Sequence, residues 1–287
     1  MQNLPQQSKV NPLASLMRQP KLFIKLPSQG KYWPKGSIST SPNKDFAVFS
    51  MTAKDELMLK NPSSLATGQA VVNVIQSCMP DIANAWATPS IDLDTILIAI
   101  RIATYGPIMD VDATVNGVTE LFKINLNEIL DRLYANVYWD DEVVSSNIKL
   151  YIQPLPYNAV LQAAKESVET QKIMDLVNDE SLTEDRKVEL FKNSFSKLTD
   201  VTLNIVAKSV YQIDAPTGSV TDPEFILEFM EQCDSGVFNA VNAKLDLLTE
   251  KNTIKTVTVK STPAMLAAGA EPEEEIPVVF DPKTFFA

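Results

Sequence analysis

Between Met109 and Val115 apolar and polar residues alternate one for one, and Asn116-Gly117 follows at once. Period-two alternation gives a strand with one buried and one wet face. Asn and Gly both tolerate positive φ, so the pair favours a type I′ turn and a return strand over Val118 to Asn125. Most other apolar residues recur at the three-to-four spacing of amphipathic helices. A chain with both periods in blocks, and no regular strand–helix alternation, is read as α+β.

The blocks run as follows. Residues 1–20 are rich in Gln, Asn, Pro and Ser without any period, and read as a mobile tail. Leu22–Leu26 and Phe46–Phe49 read as short strands around the turns of Pro27–Gly30 and Lys31–Gly36. Thr52-Ala53-Lys54-Asp55 is a capping box, predicting a helix that buries Leu57 and Met58. Gly68–Met79 has a helical stripe ending at Pro80. Asp92 is read as the cap of a helix that runs to Gly106-Pro107. Leu126–Leu133 reads as a short helix, and Asn147–Gln153 alternates as a strand.

From Pro156 onward the pattern is helical. One helix is expected over 156–178. A second follows the capping box Ser181-Leu182-Thr183-Glu184, with Val188, Phe191, Phe195, Leu198, Val201 and Ile205 as its apolar stripe. A third starts at Asp222-Pro223, with Phe225, Phe229 and Cys233 in line behind it, and a last one spans about 236–250. Thr253–Lys260 and Val278–Phe280 read as a closing strand pair, around an exposed loop of alanines and the acid run Glu271–Glu275. The expected organisation is therefore a mobile tail at 1–20, an α+β domain at 21–153 carrying the hairpin, a helical region at 154–252 and a strand segment at 253–287.

Composition removes several functional classes. The chain has 287 residues, no histidine and two cysteines. No His-based catalytic pair or His-ligated metal can form, and Cys78 and Cys233 cannot build a four-thiolate site. On apolar helix faces, both read as core residues in a reducing compartment. A net charge of −11 argues against nucleic-acid binding. Met1–Gln7 lacks the charged start and apolar core of a signal peptide, and the longest strictly apolar run, Ile96–Ile100, is far below a membrane span, so a cytoplasmic, soluble protein is expected.

Catalytic motifs are weak. In Gly30-Lys31-Tyr32-Trp33-Pro34-Lys35-Gly36-Ser37 the glycine spacing is one too long for a phosphate loop, and no Lys follows the second glycine. Ser194-Phe195-Ser196-Lys197 has the S-x-x-K spacing of some hydrolases, but Phe195 belongs to the helical stripe. Asp110 and Asp112 lie two apart on one strand face, and Asp140-Asp141-Glu142 are adjacent. Either group can serve a metal-assisted hydrolase; the simpler reading is the wet face of an edge strand and a solvated loop. No catalytic residue, metal ligand or cofactor is assigned, and the chain is read as a non-enzyme.

Four segments, in order, resemble a family of contractile-tailed bacteriophage proteins, the T4-type baseplate hub and hub-assembly family. They are Leu26-Pro27-Ser28-Gln29-Gly30-Lys31-Tyr32-Trp33-Pro34, Met51–Leu59, Arg101-Ile102-Ala103-Thr104-Tyr105-Gly106 and Phe280-Asp281-Pro282-Lys283-Thr284-Phe285-Phe286. Similar proteins often carry a cysteine pair after the Tyr-Gly turn; here Asp112–Gly117 has none. The resemblance implies a late protein of tail assembly, a chaperone or a retained hub part. It would bind hub subunits or the tape-measure protein, in the host cytoplasm during assembly or in the virion baseplate. Self-association stays open. Candidate partner-binding residues are Tyr32, Trp33, Phe285 and Phe286, aromatics in a turn and near the C-terminus. The alternative for the two phenylalanines is that they fold back into the chain's own core.

Overall fold

The computed structural model describes residue 13 and residues 17–39, 45–135, 139–145, 147–177, 183–278 and 285. Strands β1 (Pro20–Ile24) and β2 (Phe46–Phe49) pair antiparallel. Helices α1 (Ala53–Leu59), α2 (Pro62–Ala66), α3 (Gln69–Cys78) and α4 (Ser90–Tyr105) follow, then the hairpin β3 (Ile108–Val115) and β4 (Val118–Asn125) and helix α5 (Leu126–Ala135). Strands β5 (Glu142–Ser145) and β6 (Ile148–Ile152) precede α6 (Tyr157–Val177) and α7 (Glu184–Ser209). Then come β7 (Val210–Ala215), β8 (Gly218–Val220), α8 (Pro223–Gln232), α9 (Ser235–Asn252), β9 (Thr256–Lys260), α10 (Pro263–Ala267) and β10 (Glu273–Pro277). The architecture is α+β, as the two periods dictate.

The hairpin forms in the expected register. Val115 pairs with Val118, and the two turn residues have φ of 49° at Asn116 and 81° at Gly117, both in the left-handed region of a type I′ turn. Met109, Ala113, Phe122 and Ile124 face inward, whereas Asp110 and Asp112 are exposed. The capping box also forms: Thr52 Oγ1 accepts from the Asp55 backbone N–H, and Asp55 accepts from that of Thr52. It sets the phase of α1 so that Asp55 and Leu59 are buried and Leu57 is 68% exposed, against the expectation for Leu57.

Apolar packing divides into two cores. One joins β1, β2 and α1 to α5 with Ile254, Met265, Ile276, Val278 and Phe285. The other packs β5, β6 and β7 against the end of α7 and against α8 and α9. The segments read from the sequence cut across these cores. Residues 143–152 pack with 206–248, and residues 254–285 return to the first core.

Four local expectations are corrected. The region from 154 to 252 is not wholly helical: after α7, Val210, Tyr211 and Ile213 extend as β7, and the four-stranded sheet runs β5-β6-β7-β8. β-Branched and aromatic residues, with Pro216-Thr217 as a two-residue loop before Gly218, favour pairing over a further helical turn. The acid run is strand, not loop: β10, Glu273–Pro277, pairs with β9 while Ile276 reaches the core, and Val279 and Phe280 of the expected closing strand lie outside the described residues. The alanine segment holds α10, where Thr262 caps the helix and Met265 is fully buried. Arg18, inside the expected tail, is anchored by donating 2.5 Å bonds to the carbonyls of Ser50 and Ser77.

The start of α6 is tied to the first core. Ser90 donates to Leu155 O and Tyr157 to Thr88 O, each at 2.8 Å. Tyr157 stacks on Trp86, and Gly68, with φ of 77°, lets α6 pass so closely that a Cβ there would lie 2.3 Å from Leu161 Cδ2. Among the described residues no helix is long and apolar enough to cross a membrane.

Candidate functional site

The site begins with a buried carboxylate. Residues 26–34 coil through successive turns, with Gln29 donating to Leu26 O at 2.9 Å and Lys31 to Ser28 O at 3.0 Å. Gln29 and Gly30 both have positive φ, 53° and 80°. Asp92, in the first turn of α4, is fully buried and holds this coil. Its Oδ1 accepts from Ser28 N at 2.8 Å, and its Oδ2 accepts from Ser28 Oγ at 2.5 Å and from Trp33 Nε1 at 2.7 Å. Asp92 is thus an internal clamp and not a helix cap; Pro89 holds the cap position. Burial pushes its carboxyl up to about 6, against the lowering effect of the Ser28 and Trp33 bonds.

With Trp33 turned inward and 8% exposed, the coil presents Tyr32 and Lys31 outward. The Tyr32 ring meets Trp139 edge-on, centroids 6.1 Å apart. Trp139 is fixed by donating from Nε1 to Ile152 O at 3.1 Å. Lys31 Nζ lies 5.0 Å from the Tyr32 centroid and 2.7 Å from Asp141 Oδ2, an oxygen that also accepts from Tyr211 Oη at 3.1 Å. The bond to Asp141 raises the Lys31 pKa; burial, ahead of the charge of Asp141, pushes Tyr211 up to about 12. Between Pro27–Tyr32, Ile91 and Trp139 opens a cleft of about 420 Å³. It straddles the junction of the two cores.

The candidate residues separate accordingly. Tyr32 is half-buried and lines the cleft; Trp33 belongs to the first core. Phe285 is 1% exposed, its ring packed in that core and its carbonyl oxygen accepting from Arg101 Nη1, so this side chain is not presented to a partner. Phe286 lies outside the described residues. Trp139 was not singled out from the sequence; the only signal was an aromatic beside the Asp140-Asp141-Glu142 run.

The carboxylates proposed for hydrolysis do not converge. Asp140 pairs with Lys244 at 2.5 Å, Asp141 with Lys31, and Glu142 with Lys149 at 3.1 Å, three lysines on three different segments. On β3, Asp110 lies across from Lys123 and Asp112 across from Leu121. No group of three or more His, Cys, Asp or Glu residues among those described is placed to hold a metal ion. Cys78 is fully buried, with its thiol pushed up to about 12 mainly by burial, so it is a core residue.

The arrangement defines a class: an α+β protein whose 26–34 segment is held by bonds within the chain beside an aromatic cleft. Residues 17–287 match the family model of the T4 bacteriophage base plate protein. The chain belongs to that family and has a phage baseplate role. Comparison with curated proteins and with solved structures gave no match.

Proposed function

We propose that the chain acts in the baseplate as a hub-assembly protein. It binds hub subunits or the tape-measure protein, in the host cytoplasm while the tail is built, and leaves as a chaperone or stays as a component of the virion. The reading is one of protein binding without catalysis. The observation that carries it is the Tyr32–Trp139 pair: two large aromatics at the rim of a cleft, held in place by bonds from below. Rigid aromatics lose little entropy when a partner covers them, and such residues dominate interface energy. The lysine–carboxylate pairing across 140–142 gives no support to the hydrolase alternative.

Co-expression with tagged hub subunits tests the reading. The wild-type chain is expected to co-purify, and Tyr32→Ala with Trp139→Ala to lose the partner while keeping its circular dichroism spectrum. Undiminished co-purification of a folded double variant would remove this surface from the reading. Mass spectrometry of purified particles separates a retained part from a departing chaperone. Assays on phosphodiester and peptidoglycan substrates, with and without Mg²⁺, test the absence of catalysis.

A further inference from the structure

Helix α8 turns its core face, Ile226 and Met230, toward the second core. On its other flank Phe225, Glu228, Phe229, Gln232 and Cys233 line a groove of about 350 Å³. Their spacing of i, i+3, i+4, i+7 and i+8 makes one continuous helical stripe. The stripe of Phe225, Phe229 and Cys233 expected from the sequence therefore exists, but it lies at the edge of the core: Phe229 and Cys233 are half-buried and pack partly against the second core, whereas Phe225 is 63% exposed. An exposed Phe beside a half-buried one is apolar surface that this chain leaves uncovered.

The chain segment that carries the groove is one-sided in charge. From Ser209 to Ala243 the sequence contains no Lys or Arg, while Asp214, Asp222, Glu224, Glu228, Glu231 and Asp234 are acidic. Glu224, Glu228 and Glu231 are exposed along α8, and among the described residues none of them has a cation within ion-pair distance. Elsewhere the chain does pair its carboxylates, as Lys31, Lys149 and Lys244 demonstrate.

We propose that this face of α8 docks a cationic amphipathic segment of another protein, with apolar side chains seated between Phe225 and Phe229 and Lys or Arg residues against Glu224, Glu228 and Glu231. Charge selects this occupant. A second copy would bring the same carboxylates against these, and an anionic lipid surface or an acidic peptide would be repelled. A helical ligand suits the groove because apolar anchors at i, i+4 and i+7 match the stripe it would lie along. The proposal concerns a surface apart from the Tyr32–Trp139 cleft and does not depend on it.

Cys233 supplies the readout. It lines the groove and is half-buried, whereas Cys78 is fully buried, so maleimide labelling of the native protein reports Cys233. The probes are a synthetic amphipathic peptide of leucine and lysine, and the same peptide with glutamate for every lysine. The lysine peptide is expected to slow labelling of the full chain several-fold, less so at high salt, and the glutamate peptide to leave it unchanged. The exposed triple variant Glu224→Gln, Glu228→Gln, Glu231→Gln is expected to lose the protection. Mapping of amide shifts in the wild-type protein, which needs no variant, should place the lysine peptide on residues 224–233. Equal protection by both peptides, no protection by the lysine peptide, protection retained in the triple variant, or shifts centred elsewhere would each overturn the proposal.

Discussion

The guanidinium carbon of Arg101 lies 5.3 Å from the centroid of the Phe285 ring, and Nη1 donates to the carbonyl oxygen of the same residue. The ring of Tyr105 lies at the same distance, so the guanidinium touches two aromatics. One residue of the Arg101–Gly106 segment thereby fastens a residue 184 positions further along. Since Phe285 is buried in the first core, Phe285→Ala should cost about 3–5 kcal/mol, the usual range for deleting a buried Phe side chain. Truncation after Pro282 should lower the denaturation midpoint comparably. Arg101→Lys keeps the charge but loses the planar stacking, and should give a smaller loss. Urea titrations of the three variants check this; a truncated protein as stable as the full chain would contradict it.

The Asp92 clamp should make stability depend on pH in an unusual sense. Its carboxyl is raised from 3.8 to about 6 in the folded chain. The folded state therefore keeps a proton that the unfolded chain has released, and this contribution is fully present below pH about 4 and lost as pH rises through about 6. The shift corresponds to something on the order of 3 kcal/mol across that window. Asp94, also raised to about 6 by burial, acts in the same direction. Asp92→Asn should be less stable at every pH, because an amide cannot accept from Ser28 and Trp33 at both positions. Its profile should be flatter than the wild-type one between pH 4 and 6, with the Asp94 part remaining. Parallel profiles for the two proteins would argue against the clamp titrating.

At Gly68 two constraints coincide, a φ of 77° and a missing Cβ that would stand 2.3 Å from Leu161 Cδ2. Gly68→Ala should destabilise the protein by about 1–3 kcal/mol, through strain and overpacking. The added variant Leu161→Ala would relieve the clash but not the backbone term, so the double variant's loss should be smaller than the sum of the two single losses. Thermal melts of the set measure this coupling directly.

Gly117 separates conformation from packing, since nothing lies within 4 Å of the Cβ it lacks. Gly117→Val should cost about 1–2 kcal/mol, because a β-branched residue is strained at positive φ. Replacement by a D-amino acid in a semisynthetic chain should cost almost nothing. Chemical denaturation of the two proteins distinguishes turn strain from any unrecognised contact.

The hairpin was legible because its signal is local: alternation fixes the faces and Asn116-Gly117 fixes the turn. The capping box at Thr52 and the proline-started helix at Asp222 were legible for the same reason. What escaped the sequence depends on distant partners. Asp92 reads as a helix cap until Ser28 and Trp33, some sixty positions earlier, are seen to converge on it. Strand β10 hides in an acid run, since pairing with β9 uses the backbone and tolerates any side chain on the wet face. The stripe of α8 was seen, but periodicity does not say how deeply each side of a helix sits: Ile226 and Met230 are fully buried, Phe229 and Cys233 only partly, and Phe225 is exposed. For the site, Tyr32 was legible and Trp139 was not, because its role depends on a contact between residues more than a hundred positions apart.

The way the chain crosses between its two cores has a consequence for synthesis. The apolar residues of the second core lie between Trp139 and Leu248. The first core is drawn from residues starting at Ile24 but closes only with Met265, Ile276 and Phe285. As the polypeptide leaves the ribosome, the middle portion can pack while the earlier portion still waits for its final pieces, which reverses the usual order in which a nascent chain matures. Contacts spanning most of the chain also form slowly. During that interval the apolar faces of α3 and α4 stand partly uncovered, and a premature stop after α9 would release a protein with one finished core and one open one.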